Sequence, residues 1–161
     1  MNNIGIKNIM LDTSFCIRLM DKNEALHQNA LEYFKYFLTE KISIHISTVA
    51  VAEYAVGDDP ENLPLNNIQI EAFDFLDGKT AGLFHKEITG SKANIPNFNR
   101  RVIANDVKII AQIHTKKIDA IISTDIASIK QYISPLEKAK MINVKFFDLN
   151  ASLNSILGTL F

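Results

Sequence analysis

Two short apolar runs constrain this chain more than any other feature. Ile9-Met10-Leu11 stops at Asp12-Thr13-Ser14, and Ala120-Ile121-Ile122 stops at Ser123-Thr124-Asp125. A brief run with no polar alternation suits a strand covered on both faces, as in a parallel sheet. Each run ends on an aspartate flanked by hydroxyls. In open α/β sheets, ligands gather beyond the carboxyl ends of the strands. The pair of runs therefore predicts an architecture and the edge of it that carries chemistry.

Elsewhere the hydrophobic period switches between helix and strand. Thr13 or Ser14 is placed to cap a helix through Ile17 and Leu19. Within 24–41, Leu26, Ala30, Tyr33, Phe34, Phe37 and Leu38 recur at helical spacing. That stripe reads as core, and any exposed part of it as a partner surface. Ile44 and Ile46 alternate with His45 in a strand over 43–47, after which Ser47 or Thr48 caps a helix carrying Val49, Ala52 and Glu53. Residues 67–73 read as an edge strand or extended connector, 77–88 as a helix and 90–99 as a loop. Asn105 is placed to cap a helix over 106–117, with Val107, Ile110, Ala111 and His114 on one face. A short helix through Ile129 and Ile133 is expected to stop before Pro135; a last strand over 144–147 and a helical tail after Asn150 follow. Strands separated by helices predict a three-layer α/β sandwich with a mainly parallel central sheet. At 161 residues, a single domain over 1–161 is expected.

Composition removes several classes of function. With 47% apolar and 22% charged residues, the chain is not a disordered tail, a collagen-like repeat or a coiled coil. Its apolar runs are far too short to span a membrane, and the first residues lack the apolar region of a signal peptide. Cys16 is the lone cysteine, so neither an internal disulfide nor a multi-thiolate metal site is available, and a cytoplasmic home is expected. Its thiol has no evident partner base. His27, His45, His85 and His114 show no ligand spacing and read as ordinary polar or half-buried residues. The six glycines form no phosphate-cradling cluster. The net charge of −1 hides an asymmetry: residues 1–78 carry 12 acids and 5 bases, whereas 79–118 carry 8 bases and 2 acids. The basic segment reads either as solvated surface or as a face for polyanionic phosphates beside an acidic site.

The acidic site has four candidates. Asp12 and Asp125 follow apolar strands, Glu53 lies in a helix after a third strand, and Asp106 opens the helix leading to the strand that ends at Asp125. Each alone also reads as a strand-end, cap or solvated residue. In a parallel sheet all four project toward one crevice, where like charges repel. A hard divalent cation, Mg2+ (or Mn2+), relieves that repulsion with oxygen ligands. It can also activate water against a phosphodiester.

These residues resemble the PIN domain, the fold of many bacterial ribonuclease toxins in VapBC-type toxin–antitoxin pairs. The resemblance rests on Leu11-Asp12-Thr13-Ser14, on the run from Ser47 to Glu53, on Asn105-Asp106 before an apolar helix, and on Ile121-Ile122-Ser123-Thr124-Asp125. It extends from Ile9 to about Asp148. It implies a metal-dependent RNase directed at single strands, with Asp12, Glu53, Asp106 and Asp125 as the acidic quartet. Thr13 or Ser14, with Ser123, would supply supporting hydrogen bonds. On this reading Asp12, Asp106 and Asp125 hold the ion, while Glu53 completes the set or orients the attacking water. Arg100, Arg101 and Lys108 would hold flanking phosphates of the RNA. The implied partners are a small antitoxin whose C-terminal segment covers the crevice, and a second copy of the chain in a homodimer. One departure stands out: the family often has an acid two places after the last aspartate, where this chain has Ala127. Two rivals remain. One is an aspartate-nucleophile phosphatase of the haloacid dehalogenase type, weakened by Ser14 where a second aspartate belongs. The other is a catalytically weak or inactive PIN-like module that binds RNA or a protein partner.

Overall fold

In the computed structural model, which describes residues 4–90 and 102–158, β1 (Asn8–Leu11) lies at the centre of a five-stranded sheet. On one side come β2 (Ser43–Ser47) and β3 (Gln69–Glu71), on the other β4 (Ala120–Ser123) and β5 (Lys145–Asp148). Every pairing is parallel. The order β3-β2-β1-β4-β5 makes the β1/β4 boundary the point where the winding reverses, which opens a crevice beyond the carboxyl ends. The register Leu11↔Ile122 sets Asp12 and Ser123 abreast at that point.

Among the described residues, seven α-helices cover the sheet: α1 (Thr13–Met20), α2 (His27–Thr39), α3 (Thr48–Tyr54), α4 (Phe75–Gly90), α5 (Asn105–Thr115), α6 (Ile126–Lys138) and α7 (Leu153–Gly158). Helix α1 packs on α2 and α3, and α7 on α2, while α4, α5 and α6 pack on one another. With right-handed crossovers, these groups are the two outer layers of the expected sandwich. Helices α3 and α5 also meet, joining the layers at the crevice.

The middle strands are dry on both faces: Ile9, Met10, Leu11, Ala120 and Ile122 have no exposed surface. Each large side chain among them contributes about 1.5–3 kcal/mol by burial. The aromatic stripe of α2 belongs to this core, with Ala30, Tyr33, Phe34 and Phe37 buried. Its exposed remainder centres on Leu38, a slender basis for a partner surface.

Several sequence expectations shift at element ends, each for a local reason. Helix α1 has Asp12, not Thr13 or Ser14, at its N-cap position, because those hydroxyls are turned to carboxylates. Ala104 precedes α5, and Asn105 is already helical. Ser47 does cap α3, accepting from the Val49 N–H at 3.0 Å. Helix α4 starts earlier than 77, since Asp74 and Asp77 cap it reciprocally: Asp77 N donates to Asp74 Oδ1 and Asp74 N to Asp77 Oδ2. Helix α6 runs past Pro135 to Lys138. Proline there removes one hydrogen bond near the helix end, and fully buried Leu136 anchors the last turn. Residues 69–71 form the anticipated edge strand, whereas the loop expected over 90–99 lies, apart from Gly90, outside the described residues.

Two further features bear on function. Helices α2, α5 and α6 end in the same turn, with a lysine in the left-handed region: Lys41 (φ 57°), Lys117 (φ 56°) and Lys140 (φ 57°). In each the next N–H reaches back five residues: Ile42 to Phe37 O, Ile118 to Ile113 O, and Met141 to Leu136 O. Separately, α5 is clamped to α4 around Asp77, which has no exposed surface. Asp77 accepts from Thr115 Oγ1, from Gln112 Nε2 at 3.4 Å and from its cap partner Asp74 N at 2.9 Å. Lys116 lies 3.6 Å from Asp77 and 2.6 Å from Asp74. Gln112 Nε2 also donates to the Glu71 carbonyl, tying the clamp to β3.

Candidate active site

The crevice is organised by hydroxyls that each serve a carboxylate. Ser14 Oγ donates to Asp12 Oδ2 at 2.8 Å, and Ser123 Oγ donates to the same oxygen at 2.7 Å. With both hydroxyl hydrogens committed to Asp12, the 3.2 Å approach of the two serine oxygens is a contact between acceptors. Each serine also receives a backbone N–H, Ser14 from Thr124 at 3.1 Å and Ser123 from Asp125 at 3.0 Å. The Asp12 N–H donates to the Ile122 carbonyl at 3.2 Å. The two strand ends recognised in the sequence are thus laced together.

Glu53 reaches the same place from α3. Thr13 Oγ1 donates to its Oε2 at 2.6 Å, and Asn105 Nδ2 donates to its Oε1 at 2.8 Å. Both carboxylate oxygens are therefore held, one from α1 and one from α5. Lys108 Nζ stands 3.4 Å from Asn105 Oδ1 at the rim. Arg100 and Arg101 lie outside the described residues. Asp125 sits at the N-cap of α6, where its Oδ1 accepts from Ser128 N at 3.3 Å.

Asp106 registers the company it keeps. Burial first, then the charges of Asp12, Glu53 and Asp125, push its carboxyl up from the ordinary 3.8 to about 6. The four acids therefore share one electrostatic environment at the carboxyl edge. Among the described residues, however, no three His, Cys, Asp or Glu side chains are posed as a ready-made metal cage.

The site includes two contributors that sequence reasoning missed. The place of Asn105 before an apolar helix indicates a cap; only the α3–α5 contact reveals it as a holder of Glu53. Tyr132 of α6 is half-buried, and burial first, then the charges of Asp106 and Asp125, raise its phenol above the ordinary range. The spacing from Asp125 to Tyr132 is ordinary helix periodicity and carries no signal.

The remaining candidates hold none of the four carboxylates. Burial, with help from the Asp12 charge, pushes the Cys16 thiol up to about 12, which leaves it a buried small side chain. His27 Nδ1 pairs with the Arg18 carbonyl at 2.8 Å and His45 Nδ1 with Glu71 Oε1 at 2.7 Å. His114 stacks edge-on to Phe84, with ring centroids 5.5 Å apart, and His85 is buried. Among the described residues, no helix is long and apolar enough to cross a membrane.

No family model and no curated protein matches the chain in sequence. Solved structures do match it in fold. A chain of VapBC2 from Rickettsia felis, bound to a DNA fragment from its promoter, aligns with a TM-score of 0.60 at 16% identity, over 88% of this chain and 98% of that one. A chain of DNA-bound VapBC from Salmonella typhimurium aligns with a TM-score of 0.55 at 14% identity, again over 88% and 98%.

Proposed function

Given a VapC-type PIN fold, we propose that this protein is a metal-dependent endoribonuclease and the toxin of a type II toxin–antitoxin pair. The observation that carries this reading is the convergence of Asp12, Glu53, Asp106 and Asp125 on one edge, expressed in the raised Asp106 carboxyl. Four acids in one crevice, with no cation among the described side chains that hydrogen-bond them, suit an external counter-charge. All of the donors are hard oxygens, which favours Mg2+ (or Mn2+) over softer metals. Asp12, Asp106 and Asp125 would hold the ion, with Glu53 completing the set or orienting water. Bound there, such an ion supplies an activated water and offsets charge on the leaving oxygen of a phosphodiester.

The chain's own residues prepare that chemistry. Ser14 and Ser123 pin Asp12 through Oδ2, so the carboxylate cannot swing out of the crevice. Thr13 and Asn105 fix Glu53 by both oxygens, giving it the orientation that a water-directing group needs. With its carboxyl near 6, Asp106 retains a fraction of its proton close to neutrality and would have to give it up to hold a cation. Lys108 at the rim, with Arg100 and Arg101 nearby in sequence, would meet the phosphates on either side of the cut.

The partners follow from the same reading: single-stranded RNA as substrate, a small antitoxin covering the crevice, and a homodimer in the cytoplasm. Incubation of the purified chain with single-stranded RNA and Mg2+ or Mn2+ should give cleavage that a chelator stops. Asp12→Asn should abolish both this cleavage and growth arrest on expression while leaving the fold intact. Undiminished cleavage by that purified variant would falsify the assignment. A second reading, a module that binds RNA or protein without cutting, draws on Ala127 and on the engagement of Asp125 as a helix cap. RNA binding without chelator-sensitive cleavage would select it.

A further inference from the structure

The amino edge of the sheet, opposite the acidic crevice, carries a second organised surface. Helices α5 and α6 both end there, each through a left-handed lysine, Lys117 and Lys140. Glycine is the usual residue at such a position, because a side chain is disfavoured there. A cation beside a helix C-terminus suits the dipole, which accounts for one charge per helix. It does not account for Lys145, which starts β5 in the same place.

Two adjoining clefts, each about 460 Å³, open along this edge and share His114, Ile142 and Asn143. Lys117 and Lys145 line one, and Lys140 lines the other. Two acids also line them. Asp119 is held by the backbone, its Oδ2 accepting from the N–H groups of Lys7 at 2.7 Å and Asn8 at 3.2 Å, and it keeps its negative charge. Glu137 is exposed in the cleft of Lys140. Lys7, Lys117, Lys140 and Lys145 are all exposed, and none is in an ion pair among the described residues. Among the described residues, Lys145 Nζ donates to the Gly5 carbonyl, at 3.2 Å.

We propose that this continuous groove binds the phosphodiester backbone of RNA, as a contact remote from the crevice; the inference rests on the ribonuclease reading for the identity of that RNA. Lysine supplies point charges for phosphates, His114 and Asn143 supply polar partners for the sugar, and Ile142 with Ile113 forms an apolar floor. The lysines are spread over two clefts, which fits successive phosphates of a polymer better than one compact anion. The crevice and the groove are separated by at least the length of β4, about 13 Å, so only an RNA longer than the crevice engages both.

The test uses the full-length Asp12→Asn chain without divalent cation, so that the RNA survives, and fluorescence anisotropy over a range of salt. The probes are a labelled single-stranded RNA long enough to reach both edges, a labelled trinucleotide, and duplex DNA. Lys117→Gln, Lys140→Gln and Lys145→Gln combined should weaken binding of the long RNA about tenfold and reduce its salt slope by about 2. Trinucleotide binding should be unaffected. The three single variants, with circular dichroism and melting curves, guard against misfolding of the combined one. Unchanged affinity and slope in folded variants would overturn the groove, and equal lysine-dependent binding of duplex DNA would overturn the commitment to RNA. Cleavage by the wild type distinguishes the two failures. A chain that cuts RNA but binds it independently of these lysines loses only the groove; one that binds through them without cutting loses only the ribonuclease reading.

Discussion

Asp106→Asn should make the protein more stable in chelator and, on the proposed metal-binding reading, insensitive to divalent cations. The carboxyl stands at about 6 against an ordinary 3.8, mainly through burial and then through Asp12, Glu53 and Asp125. At about 1.4 kcal/mol per unit, ionised Asp106 costs the fold at most about 3 kcal/mol near neutral pH. Partial exposure reduces this to about 1–2 kcal/mol. The sign follows from proton binding. A raised carboxyl keeps its proton longer in the folded state, so this contribution is fully present below 3.8 and is lost as pH rises through about 6. Asparagine preserves the shape and has no charge to lose. In urea titrations with chelator, the variant should unfold at a higher midpoint than wild type near neutral pH, with the same m-value. Its advantage should shrink on acidification through 6 and disappear below 3.8. Adding Mg2+ should raise the wild-type midpoint and leave that of the variant nearly unmoved. An equal or lower midpoint for the variant at neutral pH, or an advantage undiminished in acid, would refute the shared electrostatic environment.

Three other substitutions or reagents probe separate parts of the molecule. Thr13→Val deletes the 2.6 Å hydrogen bond to Glu53 and should cost about 1 kcal/mol of stability, with a larger loss of single-turnover cleavage that Thr13→Ser restores. If Thr13→Ser proves as slow as Thr13→Val, Thr13 does not act through its hydroxyl. Lys117→Gly relieves a left-handed lysine and should raise the melting midpoint by an amount equivalent to about 0.5–1 kcal/mol; a decrease would show that the side chain is doing more for the fold than the backbone costs. Cys16, with its thiol near 12, should react with iodoacetamide only after denaturation, and rapid labelling of the native chain would contradict its burial.

The architecture was legible because β1 and β4 are dry on both faces, and only apolar residues survive there. The motif ends were legible for a related reason. A polar cluster directly after such a strand has nowhere to go but the carboxyl edge. Boundaries set by pairwise geometry were less accessible. The reciprocal capping of α4 by Asp74 and Asp77 extends that helix beyond what its hydrophobic spacing indicates. Pro135 is tolerated in α6 because buried Leu136 outweighs one lost hydrogen bond, a balance that depends on the core and not on local sequence. Asn105 illustrates the same limit within the site. Its position before an apolar helix is that of a cap, and its bond to Glu53 spans 52 residues. Spacing within one element cannot report a partner on another.

The buried Asp77 clamp has a consequence for how loss-of-function variants of this chain should be sorted. Helix α5 presents Asn105 and Asp106 at one end and is gripped through Gln112 and Thr115 toward the other. Whatever loosens the grip lets the crevice wall drift, although no atom of Asp77 is exposed to meet a nucleotide. Under the proposed toxin reading, a genetic screen for harmless chains will therefore harvest lesions at Asp77 beside those in the crevice, and an unfolding curve will tell a slipped hinge-pin from a missing blade.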